Sequence, residues 1–204
     1  MAFVYGELRR QKNDIRSELL ERRRNILPET QELWDKKIED ILIGSISYRF
    51  CDIMLIYVST KFEISTSSVI SRALENKKAV ACPISNTGDH TLSFKIINSV
   101  EELNPGSYNI FEPPATNLDS GDFAASVDYT RPPLAICVVP CLSYDSHGYR
   151  IGYGKGYYDR FLSSFEGTKI GLCYSEFKTS KLPSGRYDVK LDVIITEKGV
   201  TVIK

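Results

Sequence analysis

The sequence has no surplus of charge: 26 Lys and Arg stand against 26 Asp and Glu in 204 residues. Without an excess of positive charge the chain has no overall field to gather phosphates, so no nucleic-acid partner is expected. It has no apolar run approaching the ~18 residues that cross a bilayer, so no membrane partner is expected either. The opening, MAFVYGELRRQKNDIR, has only a short apolar start with an acid soon after, unlike a secretory signal. Five cysteines (Cys51, Cys82, Cys137, Cys141 and Cys173) form no CxxC pair. Their odd number and apolar neighbours describe reduced core thiols, which places the chain in the cytoplasm and leaves a mitochondrial pool open. Zinc at Cys137 and Cys141 would need more ligands than His147 alone supplies, and no Ser-His-Asp arrangement emerges around His90 or His147. Cys141 near His147 is the nearest approach to a nucleophile and its base, and it lacks an orienting partner.

The chain nevertheless has what a folded domain needs: 42% hydrophobic and 11% aromatic residues. Val4, Leu8, Ile15, Leu19 and Ile26 form an apolar stripe that predicts a helix over residues 1–27, stopped by Pro28. A second helix is predicted over 29–47 with Leu33, Ile38, Ile41 and Leu42 inward. The apolar run 52–58 predicts a buried strand. The Ser/Thr cluster at 65–68 offers N-caps for a helix reaching Asn76. Strands are predicted at 79–84 and 92–97 around a turn at 86–89. Residues 104–133 hold five of the nine prolines and little periodicity, the marks of a long ordered excursion. Further strands are predicted at 134–139, 169–174 and 192–196, with a helix from Gly156 to Ser164. Apolar strands alternating with helices imply an α/β fold, a mainly parallel sheet with helices on both faces. No linker divides residues 1–204, so a single domain is expected.

The chemistry concentrates in residues 148–156, Gly-Tyr-Arg-Ile-Gly-Tyr-Gly-Lys-Gly, where four of the thirteen glycines fall. The segment lies between a predicted strand and a predicted helix, where α/β sheets bind ligands. Glycine lets backbone N–H groups approach an anion closely, and Arg150 and Lys155 add fixed charge. The pattern describes a phosphate cradle, although glycines serving tight packing would leave a similar trace. It is neither a Walker A loop nor a dinucleotide fingerprint, because the spacings differ.

An acid beside polyphosphate needs a cation between them. Asp159, early in the following helix, is therefore a candidate for magnesium, with Asp192 as a second carboxylate. Either could equally be an ordinary helix-start or strand-edge acid. Lys12 lies on the inward stripe of the first helix with Arg16 one turn on, so the pair either snorkels to water or reaches an anion. The run Arg22, Arg23 and Arg24 reads as a solvated face. Glu63, beyond the first strand, could accept from a polar heterocycle, with Phe62, Tyr153, Tyr157 and Tyr158 as flat walls.

Residues 140–160 resemble the signature of the 5-formyltetrahydrofolate cyclo-ligase family. That signature runs from an apolar strand through Pro and Asp to Gly-x-Arg-(Leu/Ile)-Gly-x-Gly-x-Gly-Tyr-Tyr-Asp. Gly148, Arg150, Ile151, Gly152, Gly154, Gly156, Tyr157, Tyr158 and Asp159 fit it in register. Lys12 and Arg16 fit the family's opening helix. Glu63 to Thr66 fit an acid-apolar-x-Thr element, and Tyr108 to Ile110 with Glu112-Pro113 fit its middle segment. The resemblance implies an ATP- and magnesium-dependent enzyme closing 5-formyltetrahydrofolate to 5,10-methenyltetrahydrofolate, a small-molecule chemistry expected of a monomer. It implies that Lys12, Arg16, Arg150, Ile151, Gly152, Tyr153, Gly154, Lys155, Gly156, Tyr157 and Tyr158 hold ATP. Val58, Glu63, Tyr153, Gly154, Lys155, Gly156 and Tyr157 would line the folate site. Arg150, Lys155 and Tyr157 would act at the reacting groups, and Asp159 and Asp192 would hold magnesium.

Two other classes share these features. A sugar-phosphate isomerase or acyl-CoA transferase relative would need a carboxylate near the cradle but no ATP. A binding module would need no chemistry at all, although the intact set Lys12, Arg16, Arg150 and Lys155 argues against a decayed site.

Overall fold

The computed structural model describes residues 2–107, 110–114 and 134–204, with side chains from Gly6 onward. The N-terminal stripe forms α1 (Ala2–Arg24), which ends before Pro28. Pro28 does not merely stop α1. It occupies the first turn of α2 (Pro28–Gly44), where its missing N–H costs nothing. The second predicted helix is broken at Ser45, whose side chain accepts from Tyr48 N–H and starts α3 (Ile46–Phe50). Of its expected inward residues Ile38 and Leu42 are buried, whereas Leu33 is exposed and Trp34 packs on the core in its place.

Seven strands form the main sheet: β1 (Ile53–Ile56), β2 (Ala79–Asn86), β3 (Thr91–Ile97), β6 (Ala135–Pro140), β9 (Thr168–Leu172), β11 (Val193–Thr196) and β12 (Gly199–Val202). Two small strands, β4 (Asn104–Pro105) and β5 (Phe111–Glu112), form a ribbon within the proline-rich excursion. The rest of that excursion, residues 115–133, and Tyr108 and Asn109 of the middle motif, lie outside the described residues. The main sheet runs β12-β11-β9-β6-β1-β2-β3, parallel through its five central strands and antiparallel at both edges. The edge strand β12 was not foreseen. The strands over 53–56, 79–86, 135–140, 168–172 and 193–196 differ from the expected bounds by a few residues at their ends.

Taken in chain order, the central strands follow the pattern 2-1-3-4-5, so the order reverses between β1 and β6. The helix α4 (Ser67–Glu75) connects β1 to β2 in one direction along the sheet. The helix α5 (Tyr157–Leu162) lies in the connection from β6 to β9 in the other direction. Right-handed crossovers in opposite directions place the two helices on opposite faces. A crevice therefore opens beyond the C-terminal ends of β1 and β6, where the two connections part.

Two local expectations are corrected. The glycine-rich segment does not leave β6 directly: β7 (Ser143–Asp145) and β8 (Arg150–Ile151) intervene as a hairpin, joined by β10 (Lys178–Thr179) in a second sheet. The helix after it is also shorter than expected, 6 residues, which limits any dipole it contributes. All five cysteines are buried as free thiols. Burial pushes Cys137 up to about 12 and Cys173 to about 11, and raises Cys141 as well, so none supplies a thiolate at neutral pH.

Candidate active site

A cavity of about 900 Å³ fills the crevice at the strand-order reversal. Its inner end is formed by the chain leaving β1. There Thr66 is buried, donating to the Tyr57 carbonyl at 2.7 Å and accepting from Ser59 N–H at 3.2 Å. The Tyr57 hydroxyl donates to the Ile64 carbonyl at 2.9 Å. The expected N-cap cluster therefore ties a loop shut, and no side-chain cap is formed at Thr66. Inside this loop Glu63 accepts from Thr60 N–H at 2.8 Å, and the Thr60 side chain adds a second interaction with the same carboxylate. Burial holds the Glu63 carboxyl above the usual range, and the hydrogen bonds from Thr60 offset part of that. Pro83, Leu92 and Ile110 make the neighbouring wall apolar.

Glu112 is a second buried acid on this wall, accepting from Ser85 N–H at 3.1 Å. Sequence reasoning placed it in a motif without a role. Its position on the cavity follows from β5 packing beside β2, which no local pattern announces.

The other end of the cavity is polar. Asp145 is buried and accepts from His147 and Tyr149 N–H at 2.9 and 3.0 Å, and from Leu182 N–H at 3.0 Å. This staples the β7–β8 turn and sets β8, which delivers Arg150 to the cavity. Arg150 donates to the Val189 carbonyl at 2.9 Å and to Asp159 at 3.0 Å. Residues 152–156 then loop over the mouth, and among the described residues none of their backbone N–H groups donates a hydrogen bond. Gly154 and Gly156 adopt φ of +94° and +76°. At Gly154 the positive φ is what favours glycine; an added Cβ would also sit 2.8 Å from the Arg16 guanidinium carbon, which would have to shift.

The structure brings Lys12 and Arg16 of α1 to this end, as the inward stripe suggested. Arg16 donates to the Gly152 carbonyl at 2.8 Å, and Lys12 reaches Asp188. Desolvation lowers the Arg16 pKa from its ordinary value, opposed by nearby Asp188. Ile151, Tyr153, Lys155, Tyr157, Tyr158 and Asp159 also line the cavity, as does Val58. The Tyr157 hydroxyl lies 3.4 Å from His90 Nδ1, which docks the β2–β3 turn against the loop. Burial raises the pKa of Tyr153 and Tyr158, so both phenols stay neutral.

Asp192 is not brought to the cavity. It accepts from Lys169 N–H at 2.8 Å at the N-terminal ends of β9 and β11, and its side chain is half exposed. Arg23 corrects the solvated-face expectation for residues 22–24. It is 6% exposed, donates to the Phe62 carbonyl at 3.2 Å and to the Cys141 carbonyl, and lies over the rings of Tyr174 and Phe177. It thus pins the β1 loop to the end of β6. Arg22 and Arg24 are exposed as expected.

An acid-bearing apolar pocket continuous with a cationic, N–H-rich loop is a composite site for a polar heterocycle and an anion. Comparison with known proteins gives the family. Residues 9–197 match the model of the 5-formyltetrahydrofolate cyclo-ligase family. The chain belongs to that family. It is accordingly an enzyme of the cyclo-ligase type. A probable 5-formyltetrahydrofolate cyclo-ligase of Caenorhabditis elegans is 30% identical over 93% of this chain and 96% of its own. The mitochondrial 5-formyltetrahydrofolate cyclo-ligase of Arabidopsis thaliana is 25% identical over 95% of this chain and 76% of its own. The solved structure of Aquifex aeolicus 5,10-methenyltetrahydrofolate synthetase superposes with a TM-score of 0.77 at 27% identity. That match covers 95% of this chain and 93% of the other. This cyclo-ligase-family chain shares with it the mostly parallel sheet that forms the crevice.

Proposed function

We propose that this cleft converts 5-formyltetrahydrofolate to 5,10-methenyltetrahydrofolate, with ATP spent to ADP and phosphate. The observation that carries the reading is the joining, in one cavity, of the Glu63 pocket and the unused N–H groups of residues 152–156. The pocket suits a flat heterocycle with N–H donors, which Glu63 would accept between the walls of Val58, Tyr153 and Tyr157. The loop suits a triphosphate, held by its N–H groups together with Lys12, Arg16, Arg150, Lys155 and Tyr158.

The chemistry explains why such a site has no nucleophilic side chain. The formyl oxygen attacks the γ-phosphorus, the bond to ADP breaks, and the oxygen becomes part of a phosphate leaving group. N10 then bonds to the activated carbon, losing its proton, and the C–O bond breaks to release phosphate. Both nucleophiles belong to the substrate, so the protein's part is alignment and charge neutralisation. Arg150, Lys155 and the Tyr157 hydroxyl are the groups assigned to the transferring phosphoryl.

Magnesium would be held through Asp159, whose second oxygen carries no hydrogen bond among the described residues and which lines the cavity. Among the described residues no cluster of three acids, cysteines or histidines could cage a metal. That suits an ion carried mainly by phosphate oxygens. When bound it would neutralise charge on the phosphates. Asp192 stands outside this assignment because of its place at the far end of β11. The enzyme is proposed to act as a cytoplasmic monomer.

The test is near-UV absorbance during incubation with 5-formyltetrahydrofolate, ATP and magnesium, because the conjugated methenyl bridge absorbs where the substrate does not. Growth that requires all three components is the expected result. No growth with folded protein would overturn the folate assignment.

A further inference from the structure

Lys12 donates to both oxygens of Asp188 at 2.6 Å each, and the two side chains retain only 12% and 21% of their exposure. Asp188 also accepts from Gly185 N–H at 2.5 Å, so the turn at 185–188 holds the carboxylate in place. Asp188 is thus fixed by its own backbone, whereas Lys12 reaches it on a flexible four-carbon stem. Both line the polar end of the main cavity. They also line a groove of about 520 Å³ on its outer side, together with Arg9, Arg16, Lys155 and Arg186. In that basic surround Asp188 is the one carboxylate on the groove wall among the described residues.

We propose that Asp188 is an internal counter-ion that competes with nucleotide phosphate for Lys12 and so sets the affinity of the cleft for polyphosphate. The inference rests on the reading of this end as a polyphosphate site. A phosphate oxygen and a carboxylate oxygen make equivalent partners for an ammonium group, so both cannot hold Lys12 fully at once. An incoming triphosphate must draw Lys12 away from Asp188 and then tolerate the carboxylate left behind. The departing diphosphate is released as Lys12 returns. A cleft with Arg16, Arg150 and Lys155 but no such competitor would hold its anionic product more tightly than turnover requires.

The test is calorimetric binding of ADP and of inorganic tripolyphosphate, without added divalent metal, to the full chain and to Asp188→Asn, Lys12→Met and the double variant. Asparagine keeps an oxygen for hydrogen bonding and removes the charge. Asp188→Asn is expected to bind both probes about tenfold more tightly at low salt, and the gain is expected to shrink in the Lys12→Met background, where repulsion of the ligand is relieved but no ion pair has to open. Unchanged or weaker binding by folded Asp188→Asn, or a gain equally large with and without Lys12, would overturn the proposal. A second comparison does not depend on that variant folding. Lys12→Met leaves Asp188 unopposed beside the ligand, so it is expected to weaken tripolyphosphate binding more than Lys155→Ala, which removes one exposed charge and frees no carboxylate. Equal losses count against the proposal. If the wild-type chain binds neither probe, the polyphosphate reading fails and takes this inference with it; binding with the wrong order among the variants sinks the inference alone.

Discussion

Arg150 and Asp159 form a closed triangle with the backbone of Val189. The guanidinium donates to Asp159 at 3.0 Å and to the Val189 carbonyl at 2.9 Å, and Val189 N–H returns to the same Asp159 oxygen at 3.1 Å. The Arg150 side chain is 5% exposed. This triangle locks β8, α5 and the segment before β11 together, so the polar end of the cleft is preorganised before any ligand arrives.

Replacing Arg150 by Lys keeps the charge but loses the two-pronged geometry. Because Asp159 would keep only part of its pairing, we expect a stability loss of about 2–3 kcal/mol and a fall in kcat of at least ~100-fold. Denaturant unfolding and steady-state kinetics check the two effects separately. Wild-type stability would show that the triangle does not brace the fold.

Asp159→Asn should behave differently. Asparagine retains an oxygen to accept from Arg150 and from Val189 N–H, so the fold should survive, with the unfolding midpoint lowered because the buried guanidinium loses its counter-charge. Magnesium-dependent turnover should be lost. Full activity at limiting magnesium would refute the metal role.

Lys155 is exposed and its ammonium has no partner among the described residues. Lys155→Ala should therefore leave the melting temperature within ~1 °C and raise KM for ATP about tenfold. Kinetics indistinguishable from wild type would remove Lys155 from the cradle.

Glu63 gives a pH-dependent expectation. Burial raises its folded-state pKa above the unfolded value, so the folded chain binds more protons across that interval. Its contribution to stability therefore falls as pH rises from the ordinary carboxylate range through the raised value. Glu63→Gln removes this loss: the variant should melt on the order of 2 °C higher at pH 7, with the difference closing at acid pH. It should also bind the folate more weakly. A stability difference independent of pH would contradict the assignment of a destabilised carboxylate.

Arg23 and Arg24 are adjacent in sequence and opposite in consequence. Arg23→Ala would strand the Phe62 and Cys141 carbonyls and is expected to cost about 3 kcal/mol. Arg24→Ala, on the exposed face over the Phe62 ring, should stay within about 0.5 kcal/mol. Thermal melts of the two variants make the comparison.

The amino-acid sequence by itself determined the α/β class, the buried strands and the glycine-rich loop. Each rests on a local property: apolar runs for buried strands, and glycines where the backbone must take positive φ or approach another group. It also put Lys12 on the inward face of α1, because a 3.6-residue repeat is visible without knowing what the helix packs on. Tertiary structure alone decided which charges meet. Lys12 and Asp188 are 176 residues apart, and Arg23 reaches the carbonyl of Cys141 118 residues away. No local pattern encodes such pairs. Nor could spacing distinguish Asp159, which enters the cleft, from Asp192, which lies at the far end of a strand: both are acids beside an apolar segment. The strand order supplies the difference, because it fixes which ends of the strands open into the crevice and which close the opposite edge.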